Sequence, residues 1–198
     1  GEIDAARREV RELDMSAVDA MKSTYADLIV VGQTDPDEGP LNAPPSFPEL
    51  VALSVGRPVL FVPYFTAAYP TLGKKVLVAW NASREATRAV SDALPLLQRA
   101  ERVTAMVVNA KRDRQDSVDI PAADISRFLA RHGVKVEATQ SYTDELSVGD
   151  ELLVRVADGE FDLLVMGAYG HSRLREIVLG GVTQSLLQHM TVPVLMSH

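Results

Sequence analysis

The chain has 198 residues, 46% of them hydrophobic, a formal net charge of −7 and a pI near 5.1, enough apolar material for one ordinary core and part of a second. The acidic balance argues against a nucleic-acid backbone or an anionic membrane as the main partner. There is no cysteine, which removes disulfides, thiolate metal sites and cysteine nucleophiles, and no apolar run approaches the roughly 18 residues of a membrane span.

In chain order, residues Glu2 to Lys22 are charged and helix-like. Ala26-Asp27-Leu28-Ile29-Val30-Val31-Gly32 is a short apolar run with the character of a buried strand, followed by the acidic, proline-rich loop Thr34 to Pro40. Pro58 to Val62 forms a second apolar run, and Pro63, Pro70 and Gly73 punctuate a linker. Lys75 to Trp80 is expected as a strand. Ser83 to Arg99 is an amphipathic helix with Ala86, Ala89, Val90, Ala93, Leu94 and Leu97 on one side and Pro95 as a possible kink. A strand follows from Arg102 to Asn109, then a helix with Pro121 near its start and Gly133 just past its end. Val134 to Gln140 alternates as a strand, and Ser147 to Asp158 carries Leu152, Leu153 and Val156 as a helix stopped near Gly159. The apolar run Asp162 to Gly167 is a strand. Val182, Leu186, Leu187 and Met190 recur at helical spacing after Gly180, and Thr191 to Met196 closes as a strand. Strict alternation of strand and helix from Lys75 onward predicts a parallel, doubly wound sheet.

The chain also repeats itself. Asp27 and Asp162, Gly32 and Gly167, and Pro58 and Pro193 are each separated by 135 positions. Three anchors at one offset indicate a duplicated α/β unit rather than a solenoid. The second copy has its full set of elements. The first lacks a counterpart for the strand at Lys75, so it is expected to be incomplete: a shortened polypeptide, a part lying outside this sequence, or completion by another chain.

The segment with most chemistry is Asp162-Leu163-Leu164-Val165-Met166-Gly167-Ala168-Tyr169-Gly170, with Gly180-Gly181-Val182-Thr183 nine residues further on. Glycines at a strand end let the backbone approach a ligand, and the N–H groups of a following helix attract anions. Gly167, two residues, Gly170, nine residues and Gly180 resembles the nucleotide-binding signature of the universal stress protein family. The resemblance covers the second copy and departs at Gly181, where the family usually has Ser, Thr or Asn. It implies an α/β, doubly wound five-stranded parallel sheet of the adenine nucleotide alpha hydrolase-like kind, in one complete copy plus the C-terminal part of another. The expected domains are 1–66 (degenerate first repeat), 67–73 (linker) and 74–198 (complete second repeat). It further implies ATP or another adenine nucleotide as ligand, with Mg²⁺ arriving only with the nucleotide. Val108 would border the adenine, and Ala79 and Asn81 the base and ribose. Met166, Gly167, Gly170, Gly180, Gly181 and Val182 would line the ribose and phosphates, with Thr183 as an added candidate. The family commonly has Asp at the place of Asn81, so a carboxylate that could orient ribose or metal-bound water is missing. In the first copy Asp35, Pro45 and Ser46 stand where Gly170, Gly180 and Gly181 stand in the second, which predicts an acidic loop unable to hold phosphate.

Other readings of the same residues stay open. Gly167 and Gly170 can serve a tight turn alone. Neither a P-loop ending nor a dinucleotide fingerprint is present. His171, Arg173 and Arg175 lie in the loop after Gly170, while His132, His189 and His198 lack metal-ligand spacing, and no metal is expected. No serine, histidine and carboxylate set can be assembled, so no efficient catalysis is expected beyond slow hydrolysis of a bound nucleotide. The final strand Pro193 to Ser197 offers a pairing edge to Pro58–Val62 or to a second chain, giving a pseudo-dimer or homo-oligomer. The alternative function is a nucleotide-independent interaction or dimerisation module. The absence of a secretory leader pattern leads to an expected cytoplasmic location.

Overall fold

The computed structural model describes residues 25–33, 47–65, 71–108, 122–169 and 181–198. Seven strands form one sheet: β1 (Ile29–Gly32), β2 (Val59–Val62), β3 (Lys75–Ala79), β4 (Arg102–Val108), β5 (Val136–Ser141), β6 (Leu163–Gly167) and β7 (Val194–Ser197), in the order β1-β2-β7-β6-β3-β4-β5. Five helices are described: α1 (Phe47–Ser54), α2 (Arg84–Leu97), α3 (Ala123–Arg131), α4 (Val148–Asp158) and α5 (Gly181–His189). The helix expected over Glu2 to Lys22 lies outside the described residues.

The expected five-stranded sheet is corrected to seven strands. The parallel set β7-β6-β3-β4-β5 is present as read, but β7 is not an edge. Val59, Leu60 and Phe61 of β2 pair antiparallel with Met196, Leu195 and Val194, and β1 extends the sheet parallel to β2. The reason is hydrophobic: Val194 to Met196 are apolar on both faces, and pairing with β2 leaves all three essentially buried.

The offset of 135 positions reappears in the geometry. Ile29 pairs with Val59 as Leu164 pairs with Val194. The Ile29 N–H donates to Pro58 O and the Leu164 N–H to Pro193 O, both at 3.0 Å. The amides of Gln33 and Ala168 donate to Val62 O and Ser197 O at 2.7 and 2.8 Å. Helix α1 falls on the counterparts of α5, and the antiparallel ladder is symmetric about the pair Leu60–Leu195.

Helices cover both faces. On one face Leu77, Leu164, Met166, Val194 and Met196 pack with α1, α4 and α5; on the other Val76, Val78, Leu163, Val165 and Leu195 pack with α2 and α3. Alternate residues of one strand thus enter two cores, which is why these strands are apolar throughout. Helix starts follow capping chemistry: Ser83 Oγ accepts the Ala86 N–H at 3.0 Å, and Ser147 Oγ accepts that of Asp150 at 3.1 Å. Helix α2 runs through Pro95 to Leu97; Pro95 withholds the one helical hydrogen bond that its N–H would give to Ser91 O. Gly133, at φ +79°, ends α3 as expected. At the amino end of the sheet, the Asp162 carboxylate accepts the Lys74 and Lys75 amides at 3.1 and 2.9 Å and the Thr71 hydroxyl at 2.7 Å, tying the start of β3 to β6.

Candidate functional site

A cleft opens at the carboxyl ends of β3, β4 and β6, where ligands of open parallel sheets bind. It is lined in part by Ala79, Asn81, Val108, Met166 and Gly167, with the first turn of α5, Gly181-Val182-Thr183, on one side. Eight of the ten residues expected from the sequence therefore meet in one place. Gly170 and Gly180, and with them His171, Arg173 and Arg175, lie outside the described residues.

The cleft has further walls that sequence reasoning did not assign: Met106, Val148, Leu152 and Tyr169; Trp80, at the end of the strand expected from Lys75, lines it as well. Met106 shares a strand face with Val108 two positions on, and Val148 and Leu152 share a helical face four apart; both periodicities were visible, but not that they converge. Helix α4 is held in place by a buried carboxylate: Glu151 accepts from the Ser141 hydroxyl and, at 2.7 Å, from Arg155 Nε. These two bonds keep the Glu151 carboxyl below its ordinary range. Gly149 brings α4 close to α5, its absent Cβ lying 3.3 Å from the Ser185 side chain.

Local roles are sharper than the signature alone implied. Asn81 Oδ1 accepts the Ser83 N–H at 3.1 Å, so this side chain shapes the turn into α2. Gly167 has no room for a side chain: a Cβ there would lie 2.4 Å from Ala86 N and 2.5 Å from Glu85 C. The start of α2 therefore demands a glycine at this position. Gly181 is the opposite case: no described residue lies within 4 Å of where a Cβ would stand, which leaves room among them for a side chain. Thr183, considered a phosphate candidate, is buried, and its Oγ1 accepts the Tyr169 N–H at 3.3 Å, fastening the loop after β6 to α5.

Tyr169 stands out in that loop. Its φ is +56°, a conformation uncommon outside glycine. Burial, and secondarily the charge of Glu49 on α1, push its hydroxyl far up from the usual tyrosine value, and the hydroxyl finds no partner among the described residues. Burial likewise raises the Glu49 carboxyl. At the far end of α5, Gln33 Nε2 donates to Leu187 O and Gln188 O at 3.0 and 2.9 Å, while its Oε1 accepts the Tyr64 N–H at 3.3 Å. The far end of α5 is therefore held by a residue from the first sixty-five positions.

Among the described residues, none lining the cleft carries a formal charge. Apolar walls suit a flat apolar ring, and the first turn of a helix supplies unpaired N–H groups to an anion. Among the described residues no group of His, Asp or Glu could hold a metal ion, and none of the helices is long and apolar enough to cross a membrane.

The chain is similar to the universal stress protein Slr1230 of Synechocystis, 29% identical over 150 residues, covering 74% of this chain and 49% of the relative. It thus spans about half the length of that curated relative. Among solved structures it is similar to a universal stress protein from Archaeoglobus fulgidus DSM 4304 (TM-score 0.68, 18% identity, 90% of this chain and 64% of that one). It is also similar to the functionally unknown protein PA1789 from Pseudomonas aeruginosa PAO1 (TM-score 0.61, 15% identity, 94% and 68%). At such identities the likeness concerns the fold. The sequence profile of the universal stress protein family matches residues 73–198, well over half of the chain, and the protein belongs to that family.

Proposed function

We propose that this protein binds ATP or another adenine nucleotide in the cleft and serves the cytoplasmic stress response as a sensor or regulator rather than as an efficient catalyst. The observation that carries this reading is the convergence of Ala79, Asn81, Val108, Met166, Gly167 and the first turn of α5 on one cleft. In this reading Trp80, Met106, Val108 and Leu152 flank the base, and the amides of Gly181 and Val182 meet phosphate. Mg²⁺ enters only with the nucleotide. Residues 1–66 are the carboxyl-terminal part of a degenerate repeat, 67–73 a linker and 74–198 the competent repeat; the common offset of 135 in register and hydrogen bonds supports that division.

Titration with Mg-ATP, followed by Trp80 emission and by calorimetry on the same samples, tests the proposal. Saturation at one site per chain is expected, and Gly170→Asp, which copies Asp35, should abolish it in a folded protein. No heat and no change in emission up to millimolar ATP would refute nucleotide binding. The β2–β7 ladder favours the second reading, a nucleotide-independent assembly module, and that reading would then stand.

A further inference from the structure

We propose that Asn81 makes the cleft selective for the metal-free form of its nucleotide, because the side chain turns a hydrogen-bond donor toward the ligand. The proposal rests on the nucleotide reading and goes beyond it, naming the ionic form that the cleft prefers.

The direction of the Asn81 amide is fixed by the backbone. The Ser83 N–H can only donate, so the Asn81 atom that it meets at 3.1 Å is the oxygen, Oδ1. Rotating the amide by half a turn would set two donors, Nδ2 and the Ser83 amide, against each other. The bond belongs to the turn in which Ala82, at φ +57°, leads into Ser83, the N-cap of α2. With Oδ1 turned to the backbone, the other branch of this exposed side chain is Nδ2 with its two hydrogens. Its place in the fold brings that branch to the ligand. Ala79 stands in register between Met106 of β4 and Met166 of β6, and the Trp80 N–H still donates to Met106 O at 2.8 Å. Asn81 therefore enters the cleft between the end of β4, with Val108, and the end of β6, with Gly167. A carboxylate at this position would only accept: it would repel a bare phosphate chain and attract a divalent cation. Asn81 reverses both preferences. Its Nδ2–H groups match an unshielded phosphate oxygen, whereas Mg²⁺ occupies such oxygens and meets no carboxylate among the described cleft residues. The described residues thus fit the nucleotide and do not fit a metal held by the protein.

Calorimetry of ATP into the full chain, once with EDTA and once with excess Mg²⁺, is the measurement, and its first comparison needs no variant. The protein should bind ATP about tenfold more tightly with EDTA than with Mg²⁺, the scale of one hydrogen bond to a charged group. Asn81→Asp should reverse that order. The new carboxylate keeps an oxygen for the Ser83 N–H, so the turn into α2 survives and only the branch facing the cleft changes from donor to acceptor. This variant should lose about tenfold or more in EDTA and recover it with Mg²⁺. The Asn81 side-chain NH₂ signals, in NMR spectra of nitrogen-labelled protein, should move on saturation with ATP in EDTA. Equal binding under both conditions, or tighter binding with Mg²⁺, would overturn the proposal and leave the nucleotide reading in place. So would an Asn81→Asp variant that still prefers ATP in EDTA, or NH₂ signals unmoved at saturation. No binding in either condition would overturn both.

Discussion

Gly167→Ala and Gly32→Ala make the same chemical change at corresponding positions and should have opposite effects. At Gly167 the new Cβ would stand 2.4 Å from Ala86 N and 2.5 Å from Glu85 C. Ordinary contacts lie near 3.5 Å, so the first turn of α2 must retreat by about 1 Å. Both obstructing atoms are backbone, so no side-chain rotation relieves them. Overpacking of this kind costs about 1–3 kcal/mol. At Gly32 a Cβ meets none of the described residues, and replacing a strand glycine by alanine gains about 0.5–1 kcal/mol. The two variants should therefore differ by roughly 1.5–4 kcal/mol. Urea unfolding followed by far-UV circular dichroism reads this as a lower midpoint for Gly167→Ala and an unchanged or higher one for Gly32→Ala. A scan should show about 2–4 °C per kcal/mol in a chain of this size. Equal midpoints would refute the reasoning: the glycine would then serve the cleft, not the helix, and only ligand binding would suffer.

Three further outcomes are expected. Gly181→Ser places a hydroxyl in open space at the first turn of α5, and one added charge-assisted hydrogen bond of about 1.5–3 kcal/mol should tighten ATP binding at least tenfold by calorimetry. Gln33→Ala removes two donors from the last carbonyls of α5; a loss of about 1–2 kcal/mol in urea unfolding is expected, together with faster exchange of α5 amides relative to those of α2. Glu49→Gln should stabilise the protein at neutral pH. Burial raises the folded-state pKa of Glu49 above its ordinary value of 4.5, so ionisation costs stability above the folded pKa and the cost vanishes once both states are protonated. The advantage of the variant should shrink as pH falls through that window and be absent below 4.5; a constant advantage across pH would show that the charge is not its source.

Much of this architecture was legible where local chemistry and global fold agree. Ser83 and Ser147 announce helix starts because a hydroxyl there meets an unpaired amide, and the Asp162–Gly167 run announces a strand because it is apolar on both faces. Helix α1 was harder: Phe47-Pro48 follows Pro44-Pro45, a composition that suggests loop, although the offset of 135 places it opposite α5. The site was legible where one segment contains the signal, as in Gly167 to Thr183. It was not legible where the partner comes from afar. Nothing near Gly167 in sequence says that Ala86 will rest on it, nothing near Thr183 says that Tyr169 will take its hydroxyl, and Leu152 reads equally well as core or cleft.

Because β2 and β7 run in opposite senses, the sheet has two poles. The carboxyl ends of β3, β4 and β6 lie at one, while β1 delivers Gln33 to the other. A small molecule entering the cleft and a protein contacting Gln33 would therefore meet opposite ends of the sheet. Helix α5 spans the two: its first turn borders the cleft and its last carbonyls accept from Gln33. The nine residues of α5 thus reach from the cleft to the residue that ends β1, so a change at either end of the helix has a direct packing route to the other.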